Sequence, residues 1–144
     1  MTLAFLATLC AGTFAGAAIY VSFVEHPARL ERGVPFALRQ FGPSYRRAAV
    51  MQASLAIVGF LSALGGWILV TDPLFLAGGT LLGATVPYTI LVILPTNKQL
   101  LDPALDSGSP RAARLLTRWS RLHALRSAMG GLAFAFLLAG VRGG

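Results

Sequence analysis

Four apolar stretches divide this chain: Leu3 to Val24, Ala48 to Val70, Leu74 to Leu94 and Leu122 to Val141. Each runs 20 to 23 residues, the length a helix rising about 1.5 Å per residue needs to cross a hydrocarbon layer of about 30 Å. The pattern predicts an all-α fold, a bundle of four transmembrane helices forming a single domain over residues 1–144. Thr71-Asp72-Pro73 alone joins the second and third stretches, which makes them an antiparallel hairpin. The first connection, His26 to Arg47, carries Pro27, Pro35 and Gly42-Pro43 and is expected to hold a short interfacial helix around Phe36 to Phe41. In the third, Pro95 to Pro110, the run Ser107-Gly108-Ser109-Pro110 reads as a turn before a new helix. The first stretch has no Lys or Arg before it and is longer than a signal-peptide core, so it is read as a true span. Pro87, well inside the third, is expected to kink that helix and free a carbonyl near Gly83.

Composition agrees with lipid as the solvent: 56% of residues are hydrophobic and only 12% charged, where a soluble domain carries about a quarter. The net charge of +7 does not indicate a nucleic-acid partner, because the cations sit in connections between apolar runs and not on a polar face. Arg29, Arg32, Arg39, Arg46 and Arg47 lie in the first connection and Lys98, Arg111, Arg114, Arg118 and Arg121 in or after the third, while the second has none. The positive-inside rule then makes the first and third connections cytoplasmic and both termini non-cytoplasmic, as in a bacterial inner membrane. Most of these arginines are explained by that topology and by contact with lipid phosphates. Cys10, the single cysteine, has no partner for an intramolecular disulfide. Small residues at four-residue spacing, Gly12 with Gly16 and Gly79 with Gly83, let helices approach closely in lipid, within one chain or in a homo-oligomer.

Few side chains can do chemistry, and they converge. Glu25-His26-Pro27 ends the first span, Pro95-Thr96-Asn97 ends the third, and Trp119, His123 and Arg126 enter the fourth. With spans one and three running inward and span four outward, these groups reach one membrane level. Trp119, His123 and Arg126, spaced by four and three, share a helix face, and Arg111, Arg114, Arg118 and Arg121 form a separate stripe. Arg126 lies about one turn inside the apolar stretch, where an unpaired guanidinium is costly. Glu25, the only acidic residue near that depth, is its expected partner. His26, His123 and Glu25 are the candidate metal ligands, two imidazoles and a carboxylate, although no close ligand spacing marks them. No phosphate-binding loop, dinucleotide fingerprint or serine nucleophile elbow occurs.

The run Phe23-Val24-Glu25-His26-Pro27-Ala28-Arg29-Leu30, then Pro43-Ser44-Tyr45-x-Arg47-Ala48 with Met51-Gln52-Ala53, then Leu94-Pro95-Thr96-Asn97, and finally Trp119-x-x-Leu122-His123-x-x-Arg126 resembles the anthrone oxygenase family. These are four-helix membrane proteins whose fungal members act in polyketide pathways. The resemblance implies removal of a proton from the acidic methylene of a fused aromatic ketone, reaction of the enolate with dioxygen, and loss of water to a quinone. It implies His26 or His123 as base and Arg126 and Asn97 as donors to the enolate oxygen, with Glu25 beside them. Trp119 and Tyr45 would stack on a flat substrate, and Arg29, Arg47 and Gln52 complete the binding residues. No cofactor beyond dioxygen is implied, with a metal or haem as the alternative; the partners expected are membrane lipid and a lipophilic small molecule. Two other readings compete: an accessory protein holding haem, a metal or a quinone between His26 and His123, and a small exporter. Against the exporter stands the lack of ionisable side chains, other than Cys10 and tyrosine, in the outer halves of the spans.

Overall fold

In the computed structural model, which describes residues 2–143, the chain forms four long helices: α1 (Thr2–Glu31), α2 (Val34–Val70), α3 (Pro73–Leu100) and α4 (Pro110–Arg142). All four are long and apolar enough to cross a membrane. Each packs along its neighbours in sequence, and α4 closes the ring against α1, so the four run up, down, up and down around a common axis. Thr2, Val70 and Val141 border one groove, which puts the start of α1, the α2–α3 turn and the end of α4 at the same end of the bundle. The outward surface is apolar: Phe5, Phe23, Ile68, Leu91 and Leu132 are exposed, which suits lipid and not water. This is an integral membrane protein.

Local chemistry sets the corners. Asp72 caps α3 by accepting a hydrogen bond from the Leu74 amide at 2.8 Å, with Pro73 in the first turn where no N–H is needed. Gly33 separates α1 from α2 at a φ of 92°, a conformation open to glycine at little cost. This corner is much tighter than expected. The short interfacial helix expected around Phe36 to Phe41 is not a separate element but the first turns of α2, which continues unbroken through Pro43. Pro43 is tolerated because it lies on the exposed face, where the carbonyl it leaves unpaired meets no buried wall. Ala37, Phe41, Gln52, Ala56, Gly59, Ala63 and Gly66, at helical spacing, form the buried stripe of the same helix.

Two helices depart from α geometry, and both do so at the level of the polar residues. In α1 the turn Val21–Glu25 is π-helical, and in α3 so is Thr89–Ile93, two residues beyond Pro87. Near the proline, side chains take up helix carbonyls: Thr85 donates to Leu82 O at 2.6 Å and Thr89 to Thr85 O at 2.7 Å.

Between the π turns and the chain termini the core is built from small residues. Ala7, Ala11, Ala18, Ala56, Ala63 and Ala133 are buried around Phe14, Phe75, Leu82 and Leu137. Contact is close enough that a Cβ on Gly59 would stand 2.6 Å from a Leu82 methyl, and one on Gly130 would stand 2.7 Å from the Phe14 ring. Without a hydrophobic drive in lipid, this dispersion contact is what holds helix to helix. A second cluster, Ala37, Phe41, Ile93, Leu100, Leu115, Leu116 and Trp119, surrounds the polar residues at the other end.

Candidate functional site

Each helix brings part of the site. From α1 come Ser22, Glu25, His26 and Arg29; from α2, Ser44, Tyr45 and Gln52; from α3, Thr89, Thr96 and Asn97; from α4, Trp119, His123, Arg126 and Ser127. They surround a cavity of about 50 Å³ whose wall includes Arg29, Tyr45, Gln52, Asn97, Trp119, His123 and Arg126. That volume admits a few waters or a dioxygen molecule.

On α4 the expected division of faces is present. Trp119 and His123 are buried, while Arg111, Arg114, Arg118 and Arg121 are exposed. The Trp119 ring packs on His123 at 4.6 Å between centroids, on His26 at 4.8 Å, and edge-on to Phe41 at 5.4 Å. Phe41 in turn stacks on Tyr45 at 5.8 Å. The indole is thus already covered by side chains of the site, and it serves as a wall that fixes both imidazoles. Tyr88 links α3 to α4 at this level by donating to Leu122 O at 3.1 Å.

The expected pair between Glu25 and Arg126 does not form. Glu25 Oε1 accepts hydrogen bonds from Arg29 Nη2 and, at 2.9 Å, from Ser44. Glu25 and Arg29 stand four apart on one helix, so the carboxylate meets its nearest cation without crossing the bundle. Arg126 lies deeper, its guanidinium carbon 4.9 Å above the centre of the Phe14 ring. Contact with the ring face offers a guanidinium roughly 0.5–2 kcal/mol, much less than a partnered carboxylate, and among the described residues Arg126 has no ion pair. The site therefore contains one neutralised arginine and one uncompensated one.

Polar groups left without partners gather here. Both ring nitrogens of His26, Nε of Arg29 and of Arg126, Oε1 of Gln52, Oγ1 of Thr96 and Oδ1 of Asn97 are buried with no hydrogen bond. The Leu116 carbonyl faces the His26 ring, but not in hydrogen-bonding geometry. Native interiors leave few such atoms, and each costs about 1–3 kcal/mol. A cluster of them from all four helices is what a site for a polar ligand or ordered water looks like.

Other expected residues fall outside the wall. Arg47 is exposed and does not line the cavity; at about 100° per residue it points far from Tyr45, two positions earlier on the same helix. His26 sits behind Trp119 and Glu25 behind Arg29, neither of them on the cavity wall. Nor do His26, His123 and Glu25 make a ligand set: no group of three or more His, Cys, Asp or Glu comes together among the described residues, and Glu25 is held by Arg29 and Ser44. A haem between the two histidines does not fit either, since the indole packed against both imidazoles fills the space a macrocycle would need.

Sequence reading missed Ser22 and Ser127. Ser22 Oγ lies 2.9 Å from His123 Nδ1 and 2.9 Å from Ser127 Oγ, and Ser127 Oγ lies 3.0 Å from both the Ala18 and His123 carbonyls. A signal was available for Ser127, which follows His123 by four on the same helix face; none marked Ser22.

The family profile described as Anthrone oxygenase matches residues 41–136. The chain belongs to the anthrone oxygenase family. That match spans Tyr45, Gln52, Asn97, Trp119, His123 and Arg126, and so most of the cavity wall of this anthrone oxygenase family member. The motif around Glu25-His26-Pro27 lies before it. Comparison with curated proteins and with solved structures yields no match.

Proposed function

We propose that the cavity is the active centre of an oxygenase acting on a lipophilic aromatic or quinone-like compound at the cytoplasmic face of the membrane. The observation that carries this reading is Arg126, without an ion pair among the described residues, on the wall of a cavity lined by aromatic rings and by the amides of Asn97 and Gln52. A cation held without its counter-charge in a low-dielectric site favours a ligand that becomes negative there.

The chemistry follows in balanced steps. An imidazole takes a proton from a methylene activated by a neighbouring carbonyl, leaving an enolate whose oxygen is met by Arg126 and the Asn97 amide. The enolate carbon bonds to dioxygen, and protonation gives a hydroperoxide. Loss of water then converts the former CH2 to a ketone: four electrons leave the substrate, and the two dioxygen atoms end in the ketone and in water. At about 50 Å³ the cavity accepts the reactive edge and dioxygen, not a whole fused tricycle. The other rings remain in the lipid, next to the half-buried Ala48 and Ala49 of α2.

The decisive experiment is dioxygen uptake by the purified protein in lipid nanodiscs, supplied in turn with an anthrone and a lipophilic quinol. Quinone formation at a one-to-one ratio with dioxygen is expected for the anthrone. Binding of either compound without dioxygen consumption would replace catalysis by an accessory quinone-binding role. Membrane side is tested separately: a fluorescent reporter that matures only in the cytoplasm, fused to the C-terminus, should stay dark. A bright reporter would move the site to the opposite face.

A further inference from the structure

The chain of hydroxyl groups behind His123 decides which of its ring nitrogens carries the proton. Ser127 has one hydroxyl hydrogen and two carbonyl oxygens, of Ala18 and His123, each at 3.0 Å. Turned toward Ser22, that hydrogen would leave oxygen lone pairs facing both carbonyls, so it goes to the carbonyls instead. Ser127 Oγ then accepts, and the donor at 2.9 Å is the Ser22 hydroxyl. With its own hydrogen spent, Ser22 can only accept from His123, also at 2.9 Å. The ring nitrogen bonded to it is Nδ1, which must therefore carry the hydrogen.

We infer that Ser22 and Ser127 are positioning residues that lock His123 as its Nδ1–H tautomer and present the Nε2 lone pair to the cavity as the proton acceptor. The base role rests on the oxygenase reading above; the tautomer does not. Trp119, stacked at 21° to the imidazole plane, limits the tilt of the ring, and the serine chain limits its rotation. His26 has no such partner on either nitrogen and does not line the cavity, so of the two candidate bases His123 is the one held ready. When Nε2 takes a proton, the positive charge is shared across the ring and the Nδ1–H bond to Ser22 strengthens. A neutral serine orients the ring without adding a carboxylate that would neutralise Arg126, which lies three residues further along α4.

Ser22 lies in the π turn Val21–Glu25, and π turns recur at functional sites.

The test is nitrogen NMR on protein labelled only at histidine, in nanodiscs, with the His123 signals identified by their loss in H123Q. Wild-type protein should show His123 with hydrogen on Nδ1 alone. In S22A the ring should convert to a mixture dominated by Nε2–H, and S22T, which keeps the hydroxyl, should restore the wild-type signal. Turnover of the anthrone should fall in S22A by about 10–100-fold, the size of effect seen when a metal-bound imidazole loses its orienting partner, with KM unchanged. The inference fails if wild-type His123 carries its hydrogen on Nε2, a measurement that needs no variant to fold. It fails equally if S22A keeps pure Nδ1–H. The expected tautomer in a protein that consumes no dioxygen would sink the oxygenase reading and leave the positioning of His123 standing.

Discussion

Around Phe14, Ala56, Ala63 and Leu82 the four helices meet through alanine and glycine, with every neighbour in van der Waals reach. Around Trp119 and His123 the same helices instead enclose a cavity of about 50 Å³ with a ring of unpartnered donors and acceptors. One region spends its side chains on contact, and the other holds buried polar groups that no protein group satisfies. Arg126 marks the border, with its guanidinium over the Phe14 ring of the first region and its place on the wall of the second. The packed region holds the bundle together, so that the open one can carry polar groups without protein partners.

The largest effect should come from the border itself. On the proposed oxygenase reading, Arg126→Leu is expected to lower turnover of an anthrone by about 10²–10³-fold, the loss typical of a missing oxyanion donor, while insertion is at least as ready and melting at least as high as in the parent, because an uncompensated charge is removed. Because Glu25 bonds Arg29 and Ser44, adding Glu25→Gln should neither rescue activity nor couple in stability beyond about 0.5 kcal/mol. Recovery of activity in the double variant would mean that the carboxylate reaches Arg126 after all.

Next come substitutions that add bulk to the packed region. Gly59→Val places a Cβ 2.6 Å from a Leu82 methyl and 3.0 Å from Cys10 Cβ, so melting in detergent should show a destabilisation of about 1–3 kcal/mol. Gly16→Ala, inside the same helix as Cys10, has no atom within 4 Å of the new Cβ and should stabilise by about 0.5–1 kcal/mol. Equal effects at the two positions would show that the outer face of α1 is occupied in the membrane, by lipid or by a second copy.

A smaller effect, and of opposite sign, is expected in the open region. Gln52→Met with Asn97→Leu removes two amides with unpartnered oxygens and should raise stability by about 1 kcal/mol per site, while activity is lost. A lower melting temperature would mean that water or lipid already satisfies those amides.

Much of this division could be read in advance, and the parts that could not share a cause. Apolar length fixed the four spans, and helical spacing fixed which face of α4 carries Trp119, His123 and Arg126, because both depend only on neighbours along the chain. The convergence of Asn97 with these residues followed from counting the direction of each span. Depth across the bundle is different: nothing in the order of residues showed that His26 would lie behind the indole, although the four-residue spacing of Glu25 and Arg29 did offer the pairing that keeps Glu25 from Arg126. Arg47 was drawn in by its nearness in sequence to Tyr45, which helical rotation then undoes. Pro43 looked like the end of an element, yet its exposed position let α2 run through it. Ser22 stayed hidden because α1 is apolar on every side, so nothing along the chain marks which of its faces turns inward.

The π turns have an arithmetic of their own. A π turn is an α-helix carrying one residue too many, and everything beyond it is rotated by about 100° relative to an uninterrupted helix. In α1, that offset carries the buried His26 round toward the face of Ala11 and Ala18. The segment Val21–Glu25 is therefore a place where loss of a single residue would leave span length and hydropathy nearly intact while swinging His26 by about 100° away from Trp119. Two such chains could align almost throughout, insert with the same topology, and differ in whether an imidazole backs the indole.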